Sequence, residues 1–418
     1  MNTTRKRWTM RAAKEVTYDI VVTSEIFDPG NPELGMLPCG QESGGTRLVV
    51  MDETVDALFG DRIRKYFSQN DIDVEYLTLP GGDENKTVEA FLKVASKLTE
   101  VGTSRVGTPP IAIGGGVLQD VVGMAASLYR RGIPYVRVPT TLLGQIDGSV
   151  SAKNGVNYEG CRNRLGTFAP PPRTLIDRGL IATLPERQIS SGLGEALKMA
   201  LIKDARLFEL LEEYGPHLVT DRLQDSGTEP GDPQPGLEVI HRAISGMAEE
   251  LQKNLWETDL KRIVDYGHTF SPIVEMRALP ELHHGEAVAM DCVFSAVLAV
   301  NRGMLAPRQL ARIVDTTRRI GLAASHPMFA DATVMKQALA DTMRHRDNHQ
   351  YLTLLTDIGE TVFVDDLTEA EIDRAAEVMA DLLREQEADP RGAVVCLPDQ
   401  PQARQGHGAP ETSAPLAA

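Results

Sequence analysis

The spacing of apolar residues changes character once along the chain, near Leu184, and that change limits the available folds. Before it, short β-branched runs at 18–23, 47–51, 74–79, 110–113, 135–138 and 174–176 alternate with amphipathic stretches such as 55–68 and 88–101. Strands separated by helices cannot pair as hairpins, so the sheet must be mainly parallel, with helices on its faces. After Leu184, helical spacing takes over at 186–214, 237–256, 269–278, 285–302, 307–320, 332–343 and 369–385. One hairpin, 351–355 with 361–364, interrupts that run at Asp357-Ile358-Gly359. The expectation is an α/β domain over 16–184 and a mostly α-helical domain over 185–385, with a ligand cleft between them. A flexible arm (1–15) and a disordered tail (386–418), rich in Pro, Ala, Gly and Gln, flank them. Residues 28–45 read as a loop and 225–236 as a surface insertion.

Charge narrows the function. Lys and Arg number 43 against 59 Asp and Glu, a net −16, and the densest basic run is Arg5-Lys6-Arg7. A protein that grips a nucleic-acid backbone needs a basic face, so nucleic acid is not an expected partner. The N-terminus lacks an apolar signal segment, and the apolar stretch 287–300 is short and broken by Asp291. The expectation is a cytoplasmic protein with no membrane partner. Cys39, Cys161, Cys292 and Cys396 show no metal-type pairing. An acidic chain that handles an anion must gather its cations, and Arg130, Arg131, Lys153 and Arg162 fall close together with Asn157 and Asn163. That stretch is either a phosphate-capturing loop or a solvated one.

Several motifs carry chemistry. The strand 111–113 runs into Gly114-Gly115-Gly116 and then a helix, which is either an ordinary tight turn or a phosphate cradle built from backbone N–H groups. The polar turn 81–87 offers carboxylates to ribose hydroxyls, and 139–147 follows a strand, where α/β ligand sites sit. Glu195 and Lys198 share one helix face, the usual mark of a surface ion pair. His268 and His284 lie near helix starts and could join Glu195 in an open His₂Glu metal site, although no local spacing links the three.

Taken together and in order, GGGVLQD (114–120), YRRG (129–132), PTTLLGQID (139–147), Lys153, RNRLG (162–166), TLPER (183–187), GEALK (194–198), GHTF (267–270) and HHGEAV (283–288) resemble the sugar phosphate cyclases, whose best-known member is 3-dehydroquinate synthase. The resemblance spans 45–385 and implies a dehydroquinate synthase-like fold, with a Rossmann-like N-terminal domain. It also implies an NAD- and zinc-dependent lyase, Co²⁺ being an alternative metal, that closes a sugar phosphate into a carbocycle. By that resemblance Glu195, His268 and His284 match the metal ligands. Asp52, Asp83, Lys86, Gly115, Gly116, Val117, Asp120, Thr140, Thr141, Leu143, Thr183 and Leu184 match positions lining NAD. Asp147, Lys153, Lys198 and His345 match catalytic positions, and Arg162 and Asn163 fall among the substrate contacts. Arg131 matches an arginine that reaches the phosphate held by a neighbouring subunit, which implies a homodimer.

Departures from the dehydroquinate synthases point to the substrate. Those enzymes carry Asn, His and Lys where this chain has Asp265, Pro272 and Met247. The changes resemble the branch acting on sedoheptulose 7-phosphate and argue against 2-deoxy-scyllo-inosose synthase. Leu251, Asp265 and His345 fit the pattern of the 2-epi-5-epi-valiolone synthases, whereas desmethyl-4-deoxygadusol synthases carry Glu, Ala and Thr there. On this reading Asp265 repels the carboxylate of the dehydroquinate precursor, by about 4 kcal/mol for like charges at ~4 Å in an effective dielectric of 20. A polyol dehydrogenase of related architecture and an inactive NAD-binding protein are the remaining alternatives.

Overall fold

Strands β2 (Arg47–Asp52), β4 (Ile111–Gly114) and β5 (Val136–Pro139) are buried at nearly every position, because a parallel sheet covered on both faces exposes neither side of its central strands. The computed structural model describes residues 7–37, 45–106, 108–225 and 232–388. With β1 (Asp19–Thr23), β3 (Val74–Leu79) and β8 (Arg173–Asp177) these strands form a six-stranded sheet in the order β1-β8-β5-β4-β2-β3, parallel throughout. Helices α1 (Glu53–Gln69), α2 (Val88–Val101) and α3 (Gly116–Leu128) make the crossovers. The chain passes from β2 to β3 on one side, then returns to β4 and continues to β5 on the other. That reversal opens a crevice beyond the carboxyl ends of β2 and β4, where Asp52 and the Gly114–Gly116 turn lie.

The remaining helices are α4 (Glu186–Lys203), α5 (Ala205–Thr220), α6 (Pro235–Lys253), α7 (Ser271–Ala278), α8 (His284–Asn301), α9 (Pro307–Arg319), α10 (Ala332–Arg344) and α11 (Glu369–Ala388). The hairpin of β9 (Leu352–Asp357) and β10 (Glu360–Val364) sits where the turn residues place it. Two expectations change. The stretch expected as one helix over 186–214 is two, broken at Asp204, whose extended backbone ends α4 and whose side chain accepts from Leu207 N to cap α5. The donor-rich stretch after Ser151, expected as a loop, is an antiparallel hairpin of β6 (Lys153–Tyr158) and β7 (Cys161–Phe168). Helix α11 runs to Ala388, and the tail beyond it, residues 1–6 of the arm, Cys39, Cys396 and 226–231 of the insertion lie outside the described residues. No helix among the described residues is long and apolar enough to cross a membrane.

Two apolar clusters cover the sheet's faces. A third fills the helical half and also takes in Leu142, Ile146, Val150, Ile176 and Ile181 from the segments before it. Within this core α8 carries Asp291, whose carboxylate accepts from Phe270 N at 2.6 Å and Ser271 N at 2.8 Å and so caps α7. Burial pushes its carboxyl up to about 6 despite those bonds. The folded state therefore binds a proton that the unfolded chain has already released between about pH 4 and 6, and stability from this group falls as pH rises through that window. A shift of about two units corresponds to roughly 3 kcal/mol. Asp291→Asn is expected to remove this slope, so the variant should gain on the parent between pH 4 and 6.5 in denaturant titrations; a gap independent of pH would refute it.

Candidate active site

Helices α4 and α8 touch backbone to backbone, and glycine is what permits it. A Cβ on Gly194 would lie 2.3 Å from Gly285 O, and one on Gly285 would lie 1.7 Å from Ser191 O. This contact brings Glu195 on α4 beside His284 at the start of α8. His268 arrives from the turn before α7, where Gly267 takes φ +75 against Val288 and Cys292 of α8, a conformation and a clearance that a side chain forbids. The ligand atoms of Glu195, His268 and His284 lie within 4.8 Å of one another.

Both imidazoles aim Nε2 at Glu195 Oε1, at 3.5 Å from His268 and 3.2 Å from His284. Each Nδ1 is engaged behind, at 3.2 Å from Tyr266 O for His268 and 3.0 Å from Glu275 Oε2 for His284. Those outer partners favour the tautomer with its lone pair on Nε2, the arrangement a metal-ligating histidine needs. Neither buried Glu195 oxygen makes a hydrogen bond of good geometry, although Lys198 Nζ lies 2.5 Å from Oε2. Burial would raise the Glu195 carboxyl, but Lys198 and the two histidines hold it well below its usual range. Burial and Lys198 push His268 down to about 3, which keeps it neutral. Burial and Arg162 act downward on His284 too, but Glu275 and Glu195 prevail and raise it to about 9: the cluster draws positive charge to that nitrogen. The donor set fits a divalent ion with an open coordination position.

The pair Glu195 and Lys198 is therefore buried, not the surface pair that its spacing suggests. Burial would lower the Lys198 ammonium, yet Glu195 and Asp147 hold it above its usual range. Burial and Glu195 raise the Asp147 carboxyl. Glu275 came unheralded by the sequence. Burial would raise its carboxyl, but His284 and Arg162 hold it at about 2. Glu275→Gln is expected to weaken divalent-metal binding about 10- to 100-fold in chelator competition, with the fold unchanged; unaltered affinity would remove Glu275 from the site.

The crevice at β2 and β4 suits a dinucleotide. Gly115 is the N-cap of α3, a Cβ on Gly116 would meet nothing within 4 Å, and Val117 follows in the helix's first turn, so N–H groups face an approach that no side chain blocks. Asp52 caps α1, and Thr140 N donates to Gly114 O. Thr141 Oγ1 accepts from Gly144 N, with Leu143 next to it. Asp83 lies in the turn before α2. The structure joins two groups of residues that the sequence kept apart: buried Lys86 pairs with Asp120 and donates to Asn163 Oδ1 at 2.6 Å. Thr183 Oγ1 donates to Leu180 O, and Leu184 O accepts from Arg222 Nε.

Residues expected to hold substrate divide. Lys153 pairs with Glu257 at 2.7 Å. Arg131 is exposed in a turn where both arginines take positive φ, and no ion pair within the chain holds it among the described residues. Arg162 contacts Glu275 and His284 Nδ1, and so braces the support of a candidate metal ligand. Leu251 and Met247 are buried on α6, and Pro272 sits in the first turn of α7, where its missing N–H costs nothing. The side chain of His345 is 62% exposed and lies 3.8 Å from Asp341. Its neighbour Arg346 turns inward and donates to Asp265 Oδ2 at 3.0 Å. Arg262 holds the same carboxylate, with Nη2 2.7 Å from Oδ1. Asp265 is thus charge-balanced, and the simple repulsion expected of it does not describe this site.

Comparison with known proteins now decides the family. The 3-dehydroquinate synthase N-terminal model matches residues 76–191 and the 3-dehydroquinate synthase C-terminal model matches 192–347. The chain belongs to the 3-dehydroquinate synthase family. Within that family it is 46% identical over 374 residues to a 2-epi-5-epi-valiolone synthase of Streptomyces hygroscopicus subsp. jinggangensis, covering 90% of each chain. The solved structure of that synthase with NAD⁺ and Zn²⁺ bound matches at a TM-score of 0.83, covering 90% of this chain and 99% of the other. A demethyl-4-deoxygadusol synthase of Trichormus variabilis is 33% identical, covering 86% of each.

Besides Glu275, sequence reasoning missed Arg137, Glu257 and Arg346. Arg137 on β5 is fully buried and donates to Gly148 O, Ser151 O, Lys153 O and Asn154 Oδ1, fixing the strap that carries Asp147 and Lys153. A charged residue inside an otherwise apolar strand was the available signal.

Proposed function

We propose that this member of the 3-dehydroquinate synthase family is a 2-epi-5-epi-valiolone synthase. It takes sedoheptulose 7-phosphate, releases phosphate and closes the C7 cyclitol that opens an aminocyclitol pathway of the kind used in antibiotic biosynthesis. The observation that carries this reading is the convergence of Glu195, His268 and His284 beside buried Lys198 and Asp147. The 46% identity to a 2-epi-5-epi-valiolone synthase, against 33% to the gadusol-type relative, supports the choice of product.

In this reading Glu195, His268 and His284 hold zinc, or Co²⁺, while Asp52, the Gly115–Val117 turn and Thr140–Thr141 hold NAD. When bound, the metal would acidify a ring alcohol and NAD⁺ would take up and later return a hydride. Lys198 Nζ, kept charged by Glu195 and Asp147, holds a substrate oxygen in place. Asp147, its carboxyl raised, can hold a proton at Oδ and pass it on. Lys153 and Asn163 present donors to the phosphate and hydroxyls, and Arg131 reaches the phosphate in a second copy, so the working form is a homodimer. Arg137 keeps the strap in register while Leu251 and Met247 seal the pocket's apolar side. We place the enzyme in the cytoplasm, with an NAD-binding domain over 16–184 and a metal- and substrate-binding domain over 185–385.

The test is incubation of the purified protein with sedoheptulose 7-phosphate, NAD⁺ and Zn²⁺ or Co²⁺, with NMR identification of the product. One phosphate per cyclitol and no net NADH are expected. Net NADH would indicate a polyol dehydrogenase, and a gadusol skeleton would move the chain to the neighbouring branch.

A further inference from the structure

A line of alternating charges runs from the hairpin to the loop before β9. Lys153 meets Glu257 at 2.7 Å, Glu257 meets Arg262, Arg262 Nη2 lies 2.7 Å from Asp265 Oδ1, and Asp265 Oδ2 accepts from Arg346 at 3.0 Å. Arg262 and Arg346 thus converge on one carboxylate, Arg262 also donating to Oδ2 at 2.9 Å, and each has little exposed side chain (19% and 10%). The carbonyl of Asp265 accepts from His268 N at 3.0 Å, which ties this pair to the cluster that faces substrate. Two guanidiniums closing on a carboxylate make the arrangement that proteins use to bind carboxylate ligands. Here a protein side chain fills it.

We propose that Asp265 sets substrate class by occupying Arg262 and Arg346, so that neither of these two little-exposed arginines is left free for a substrate carboxylate. The inference rests on the reading of this pocket as a sugar phosphate site. Discrimination then comes from engaged cations, and Arg346, not His345, is the specificity-determining residue of its loop. A hydroxymethyl end needs no counter-charge, and the outer lone pairs of Asp265 can accept its hydroxyl. A carboxylate end would have to displace Asp265 or stay unpaired, and an unpaired charge away from water is costly.

Neutralising the side chain at constant shape isolates this effect. On protein loaded with NAD⁺ and Zn²⁺, calorimetry would compare 3-deoxy-arabino-heptulosonate 7-phosphate, which bears a carboxylate, with sedoheptulose 7-phosphate, which bears a hydroxymethyl group. Asp265→Asn is expected to bind the carboxylate ligand about tenfold more tightly, or better, and the hydroxymethyl ligand no more tightly. The double variant Asp265→Asn, Arg346→Gln should lose most of that gain. Asp265→Ser, which frees the same cations without the amide, should reproduce it. No gain in either single variant, or a gain that survives loss of Arg346, overturns the proposal. If the unmodified protein binds neither ligand, the reading of the pocket falls and the proposal with it. If it binds the hydroxymethyl ligand and the variants gain nothing, the proposal alone falls.

Discussion

His268→Ala is expected to release the metal and abolish turnover while leaving the fold intact. The ring is bonded behind only through Nδ1 to Tyr266 O, and its other nitrogen faces Glu195. Truncation therefore removes one of three ligands without breaking a core contact. Two ligands cannot hold an open tetrahedral site at physiological metal levels, so the loss should exceed the ~100-fold that removal of an outer partner costs. Metal analysis of the purified variant should fall from one ion per chain to background. Stoichiometric metal in that variant would dismiss the trio.

Gly285→Ala is expected to damage stability and metal binding together. Its Cβ would lie 1.7 Å from a backbone oxygen, and Gly194 presses the same contact from α4, so no flexible side chain can give way. The helices must separate, at a cost at or above the top of the ~1–3 kcal/mol range for overpacked cores. Separation also pulls His284 away from Glu195. Gly116→Ala, where a Cβ meets nothing within 4 Å, is the matched control and should melt like the parent. Equal denaturation midpoints for the two variants would show that the helix contact does not set the site.

Much of the fold was legible because burial follows period. Strand β3 and helix α2 begin and end where their apolar spacing does, since a half-covered edge strand and a one-sided helix each leave a clear pattern. The β6–β7 hairpin left none: β7 reads CRNRLGTF and is largely exposed, so polar residues on both faces look like a loop. The helix break at Asp204 was hidden because apolar spacing continues across it. The metal candidates came from resemblance, since 195, 268 and 284 share no local spacing and meet through a contact between glycines. His345 and Arg346 differ by one position at the end of α10, and only the backbone's course decides which turns inward.

The third apolar cluster has a consequence for how the molecule comes apart. The border between the two family profiles, at 191/192, falls inside α4, and the cluster around that helix draws Leu142, Ile146, Val150, Ile176 and Ile181 from the sheet side. A fragment cut at the border would end in a broken helix and expose those side chains to water. Neither half has a finished surface of its own, so sheet and helices should melt in one cooperative transition. A cation bound among the helices would then be felt as a higher melting temperature by strands that never touch it.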